Sequence, residues 1–224
     1  MSEDEHPART AGSGTGRTRG PSPEKTARTR AAILAAAMAE FLERGFAAAT
    51  MAGIARRAGI AKGTSYLYFE TKEALFAGIV QDVVTSPLCD AENQPIADGE
   101  TVADYFRRTL LPVMASVEEA GRAAVARLVI AEGARFPFLI STYREAVYAP
   151  FLTHLRRCAQ LAVARGELKD DTLVRLPHLL AAPLWIAILN NGVLAPGEAV
   201  DPASLFDAQI RLAFGEAAPA AGAR

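Results

Sequence analysis

Apolar positions along this chain recur every three or four residues over most of its length. Ile33, Leu34, Ala37, Phe41 and Leu42 share one face of a first helix that begins near Lys25 and stops at Gly45, with Arg44 in its last turn. Thr50 stands at an N-cap position before "MAGIARRAG", where Met51, Ile54, Ala55 and Ala58 share a face, Arg56 and Arg57 point outward, and Gly59 ends the helix after about two turns. "KGTSYLYF" supplies a third short helix, and Thr71 caps a fourth, "KEALFAGIVQDVV". Two short helices joined by a tight, glycine-containing turn predict a helix-turn-helix.

The helical period continues through residues 101–120, 122–134, 141–166, 171–192 and 201–215, punctuated by Gly, Pro or Asp. No alternating strand interrupts it. "SPLCDAENQPIADGE", residues 86–100, has the composition of a long connector. The predicted fold is all-α. A three-helix, helix-turn-helix head over residues 25–72 is followed by a helical body over 73–216, between tails 1–24 and 217–224 that hold too little apolar surface to order themselves.

Charge sharpens this division. The net charge of −1 conceals an N-terminal third, residues 1–72, with 11 Lys/Arg against 7 Asp/Glu, and a remainder with 13 against 18. That asymmetry suits a polyanion-binding head on an acidic body. Arg17, Arg19, Lys25, Arg28 and Arg30 form a basic run that reads either as a phosphate-seeking arm or as a solvated tail. Cys89 and Cys158 make no disulfide framework and no zinc spacing, which fits a reducing, cytoplasmic setting. Residues 176–197 carry no charged side chain, but Pro183, His178, Asn190 and Asn191 dilute the stretch and no cationic or aromatic anchors flank it. A helix packed against other helices is expected there, not a membrane span.

Catalytic chemistry has little to stand on. There is no phosphate-cradling glycine loop and no nucleophile elbow. His154 and Cys158 stand four apart on one helix without two further ligands nearby, and the adjacent Asp170 and Asp171 diverge at a helix start, where they serve as caps. The expectation is no enzyme, no cofactor and no metal.

A helix-turn-helix offers the N-terminal end of its second helix to the major groove, and Lys62, Gly63 and Thr64 occupy that end. Gly63 lets the backbone approach closely, Thr64 offers a hydroxyl and a methyl, and Lys62 can reach a guanine edge or a phosphate. Tyr66 and Tyr68 lie about 200° apart around the helix, so their hydroxyls can reach phosphates on the two walls of the groove. Phe69 turns inward, and Lys72 stands in the first turn of the fourth helix, where the dipole also favours a phosphate.

"TMAGIARRAGIAKGTSYLYFETKEALF" resembles the DNA-binding domain of the TetR family of transcriptional repressors, whose recognition motif reads G-x-x-x-G-T/S-x-Y-x-Y/H-F-x-x-K-E-x-L. Gly59, Gly63, Thr64, Tyr66, Tyr68, Phe69, Lys72, Glu73 and Leu75 fall in register, and the resemblance covers residues 28–76. It implies a phosphate-contacting role for Thr50, palindromic double-stranded operator DNA as partner, and a C-terminal ligand-binding and dimerisation domain. Ser65 departs from the pattern, because an apolar residue usually follows the Thr; it either loosens local packing or adds a polar group to the recognition helix.

Two functions fit. One is a repressor released from its operator by a small hydrophobic molecule; the other is a constitutive DNA-binding protein whose C-terminal helices only dimerise. Roughly 150 residues beyond the head exceed what dimerisation requires. Phe106, Phe136, Phe138, Tyr143, Tyr148, Phe151 and Trp185 could line an apolar pocket, with Arg135, His154 or Asn190 as polar anchors and Arg135 as partner for an acidic group. A homodimer is expected through the last two long helices, residues 171–192 and 201–215.

Overall fold

The computed structural model describes residues 22–215, so residues 1–21 and 217–224 of the predicted tails, with Arg17 and Arg19, lie outside the described residues, while Ser22, Pro23 and Glu24, expected in the first tail, instead open a helix because Ser22 caps it and Pro23 suits its first turn. All regular elements among those residues are helical. Helix α1 (Pro23–Ala48) starts at Ser22, whose hydroxyl accepts from the Lys25 N–H at 3.3 Å, with Pro23 preset for the first turn. Gly45 breaks its regular course with φ 74° and ψ 161°, a conformation essentially confined to glycine, before one more turn to Ala48. Leu42, expected on the core face, is exposed.

Thr50 caps α2 (Met51–Arg57), its side-chain oxygen accepting from the Gly53 N–H at 3.0 Å. The Ile60 N–H closes back to the Ala55 carbonyl at 3.0 Å across Gly59, whose φ is 68°, and α3 (Lys62–Tyr68) follows. Met51, Ile54, Phe69, Phe41 and Phe76 bury the seam between these helices and α4 (Lys72–Ile79). Glu40 is buried as well, set between the Arg44 and Arg57 guanidinia, both at 3.3 Å. Gly53 makes room for it, because a Cβ there would stand 2.3 Å from the Glu40 Oε1.

The connector expected over residues 86–100 is only partly a loop. Helix α4 runs without a break through a widened turn, Val80–Thr85, into α5 (Ser86–Glu92). The Ser86 N–H reaches back five residues to the Gln81 carbonyl immediately before Pro87, and this widening lets the helix continue past a residue that has no N–H of its own. The same device recurs where the Ala149 N–H meets the Arg144 carbonyl just before Pro150.

The body contains α6 (Val102–Thr109), α7 (Leu111–Ala115), α8 (Arg122–Glu132), α9 (Pro137–Tyr143), α10 (Ala149–Ala164), α11 (Thr172–Arg175), α12 (His178–Leu189) and α13 (Pro202–Phe214). Helices α9 and α10 join through the widened turn Arg144–Tyr148. Helices α12 and α13 pack on each other, and α13 also packs on α6 and α7. Pro183 lies buried within α12, and no described helix is long and apolar enough to cross a membrane.

Candidate nucleic-acid interface and body cavity

The second helix of the helix-turn-helix is exposed along its outer face. Lys62 and Gly63 are exposed and Thr64 is half-buried, Tyr66 is 43% exposed and Leu67 84%. Lys62 makes no ion pair with a described residue, which leaves its ammonium free for a base edge or a phosphate. Tyr68 is half-buried against the core and Phe69 is buried, so the two tyrosines differ in how much of each ring meets solvent. Leu67 escaped the sequence reading. A leucine between two tyrosines suggests core, yet here its isobutyl group projects outward, where a thymine methyl is the natural contact.

Ser65 is fully buried, and its hydroxyl donates to the Lys62 carbonyl at 2.8 Å. It therefore serves the inner face of α3 and adds nothing to the outer one. Thr50 is exposed; its oxygen accepts the capping N–H while its own proton remains free to donate. Arg30, counted in the basic run, pairs with Asp82 and lies over the Phe69 ring, 5.5 Å from the centroid, so it ties the first helix to the helix that leaves the head. Arg57 pairs with Glu40 and Glu43.

Lys72 is more committed than its place at a helix start suggests. Its ammonium donates to the Phe46 carbonyl at 2.7 Å and the Ala47 carbonyl at 3.2 Å, and stands 4.8 Å from the centre of the Phe46 ring. The other side of the same residue belongs to the body: the Phe46 N–H donates to the Glu132 Oε1 at 2.8 Å, and its ring meets Phe136 and Phe138 with centroids 5.3 and 5.0 Å away. Phe46 is thus held by a head lysine at its carbonyl and by a body glutamate at its N–H.

These contacts relocate several residues expected around a pocket. Phe136 and Phe138 belong to the junction between head and body. Arg135 is exposed and lies over Phe136, 5.4 Å from the ring centre. Phe106 is fully buried against Phe206 and Phe214 in the packing of α6 on α13. Asn190 donates to the Glu198 carbonyl, and His154 lies between the Tyr105 hydroxyl at 3.4 Å and the Cys158 Sγ at 3.5 Å. None of these residues lines the body cavity described next, because each answers a packing or hydrogen-bonding demand of a different seam. Among the described residues, no group of three His, Cys, Asp or Glu is placed to hold a metal.

The cavity lies deeper, between α7, α8, the joined helices α9 and α10, α12 and the continuous helix 72–92. Tyr143, Tyr148, Phe151 and Trp185, all anticipated, line it together with Val84 and Leu88 from that continuous helix. Trp185 meets Tyr143 and Tyr148 edge-on, both centroids at 6.1 Å. Burial pushes the Tyr143 phenol well above its ordinary pKa. The volume is about 30 Å³, room for only about two waters. One charged group enters the wall, Arg122, which no sequence pattern singled out.

Residues 33–79 match the description "Bacterial regulatory proteins, tetR family", and residues 96–205 match "Tetracyclin repressor-like, C-terminal domain". The HTH-type transcriptional regulator UidR of Escherichia coli K12 is 31% identical over 175 residues, 77% of this chain and 83% of that protein. The regulator YdgC of Bacillus subtilis is 35% identical over 89 residues, a match spanning 40% of this chain and 46% of that protein. Among solved structures, Salmonella enterica GusR superposes with a TM-score of 0.65 at 24% identity, covering 84% of this chain and 96% of that one. A complex of SmeT with triclosan superposes with a TM-score of 0.68 at 21% identity, covering 83% and 91%.

Proposed function

The chain belongs to the TetR family of DNA-binding transcriptional regulators, and from that premise we propose a homodimeric repressor that leaves its operator when a small, largely apolar molecule enters the body cavity. One observation carries the reading: the helix that delivers Lys72 to the DNA end also delivers Val84 and Leu88 to the cavity wall. Sixteen residues of helix separate Lys72 from Leu88, about 24 Å. A cavity of about 30 Å³ cannot take a small molecule without moving its walls. Displacing Val84 and Leu88 tilts the helix and changes the separation of the two recognition helices, to the extent that the ligand binds the tilted state better.

Lys62 and Thr64, with Leu67, then read bases, whereas Thr50, Tyr66, Tyr68 and Lys72 position the head on phosphates. Pairing of two chains is supported by apolar side chains left open on α12, on the widened turn Asn190–Leu194 that extends it, and on α13: Ile186 is 59% exposed, Leu194 75% and Leu212 80%. Selection of binding sequences from a random duplex pool by the purified protein tests the reading. It is expected to enrich two inverted half-sites at one fixed separation, centres about one helical turn or a multiple of it apart. Enrichment of a single half-site, or of no sequence, contradicts it. A protein that selects such sites but releases them for no cavity ligand is the constitutive binder.

A further inference from the structure

Arg122 is 7% exposed and opens α8 against the cavity. Its Nη2 donates to the Val113 carbonyl at 2.8 Å and to the Ser116 Oγ at 2.6 Å, both neutral acceptors. Its Nε is buried with no hydrogen-bond partner at all. No described carboxylate pairs with the guanidinium; the neighbouring Glu118 is taken by Arg127, at 2.8 Å. A buried cation without a counter-ion is costly, and burial alone holds the Arg122 guanidinium below its ordinary pKa. Every other cavity-lining group is aliphatic, thioether, aromatic or phenolic. Apart from the Tyr143 and Tyr148 hydroxyls and the Trp185 N–H, the wall is therefore apolar, and Arg122 is its one charged residue, with a buried Nε donor that no described group uses.

Resting on the regulatory reading above, we propose that the cavity ligand is an apolar molecule carrying one carboxylate, and that this carboxylate takes the Nε–H of Arg122 as its charge partner. The lone cation selects a monoanion, because a second negative charge would find no second cation in the wall. The anion also supplies the counter-charge that the unliganded protein lacks, so binding relieves a cost already present in the fold. Arg122 opens the same helix that Glu132 closes, so the anchor and the grip on Phe46 are one rigid element about 15 Å long.

The test is calorimetric titration of the full-length protein near neutral pH with decanoate, phenylbutanoate and naphthylacetate, each beside its alcohol and its amine. At least one acid is expected to bind roughly tenfold or more tightly than its alcohol, with the amine weaker still. Arg122→Met should remove that preference, bringing acid and alcohol within about threefold, and Arg122→Lys should restore part of it. Without ligand, Arg122→Met should melt at or above the wild-type temperature, since it removes an unpaired buried charge; a purely structural arginine predicts a lower Tm. The proposal is overturned if alcohols or amines bind as well as acids, if Arg122→Met keeps the acid preference, or if no acid binds and Arg122→Met melts lower. Alcohols or amines that release the DNA would overturn the anion but keep the regulator. Acids that bind through Arg122 yet leave DNA affinity unchanged would do the reverse.

Discussion

Removing the Glu132 carboxylate, alone and together with a methyl added at Gly45, tests how the body holds the head. The Phe46 N–H donates to the Glu132 Oε1 at 2.8 Å, and a hydrogen bond to a charged acceptor contributes about 1.5–3 kcal/mol. Gly45 holds φ 74° and ψ 161°, which costs a side-chain-bearing residue about 1–3 kcal/mol. A Cβ at that position stands 2.7 Å from the same Oε1, so Gly45→Ala also drives the carboxylate off the Phe46 N–H. Glu132→Ala should therefore cost about 1.5–3 kcal/mol and Gly45→Ala roughly 2.5–6, the strain and the lost bond combined. In the double variant the bond is lost only once. It should be no less stable than Gly45→Ala alone, a coupling about equal to the bond itself. Urea denaturation at one fixed protein concentration measures the four stabilities. Losses that add within about 0.5 kcal/mol would refute the argument.

Lys72→Ala should weaken binding to all sequences nearly equally and lower the salt slope by about one, while also costing about 1 kcal/mol of stability through the Phe46 and Ala47 carbonyls; a changed base preference in a selection assay would contradict this. Leu67→Ala, at a side chain 84% exposed, should leave stability within about 0.5 kcal/mol but reduce discrimination at one thymine by about 1 kcal/mol, read by anisotropy on substituted operators. Ile186→Asp with Leu212→Asp should give monomers by light scattering at micromolar concentration, and a wild-type protein that is already monomeric there would overturn the assigned interface. Burial holds the His154 imidazole down to about 4, so the fold favours its neutral form. Its contribution is complete above pH ~6.5 and is lost as pH falls from there towards 4, on the order of 3 kcal/mol in all. His154→Gln should flatten stability across that window, whereas equal slopes in the two proteins would show that the group does not titrate with folding.

The head was legible because its determinants are local. Apolar spacing, the Thr50 and Thr71 caps and the turn at Gly59 are each decided within a few residues, and the outward-facing Lys62, Gly63, Tyr66 and Leu67 all lie on one short helix. The cavity was only half legible, since five segments build it and aromatic content alone does not say which seam an aromatic fills. Phe136 was expected beside a ligand but covers Phe46, because the kink at Gly45 turns that ring into the body. Arg122 gave no signal, as an arginine opening a helix after a glycine reads as solvated, and only burial without an acid partner marks it. The Pro87 segment read as loop because the rule that proline ends a helix takes no account of a widened turn ahead of it.

The most direct measurement is the affinity of the purified protein for its selected operator, at one fixed salt concentration, across a saturating range of a compound shown by thermal shift to bind wild-type protein. The account predicts that operator affinity falls at least about tenfold as the cavity fills, with Val84→Trp, which fills the cavity from the connecting helix, abolishing both the thermal shift and the release. A compound that stabilises the protein through this cavity while operator affinity stays constant to saturation would contradict it.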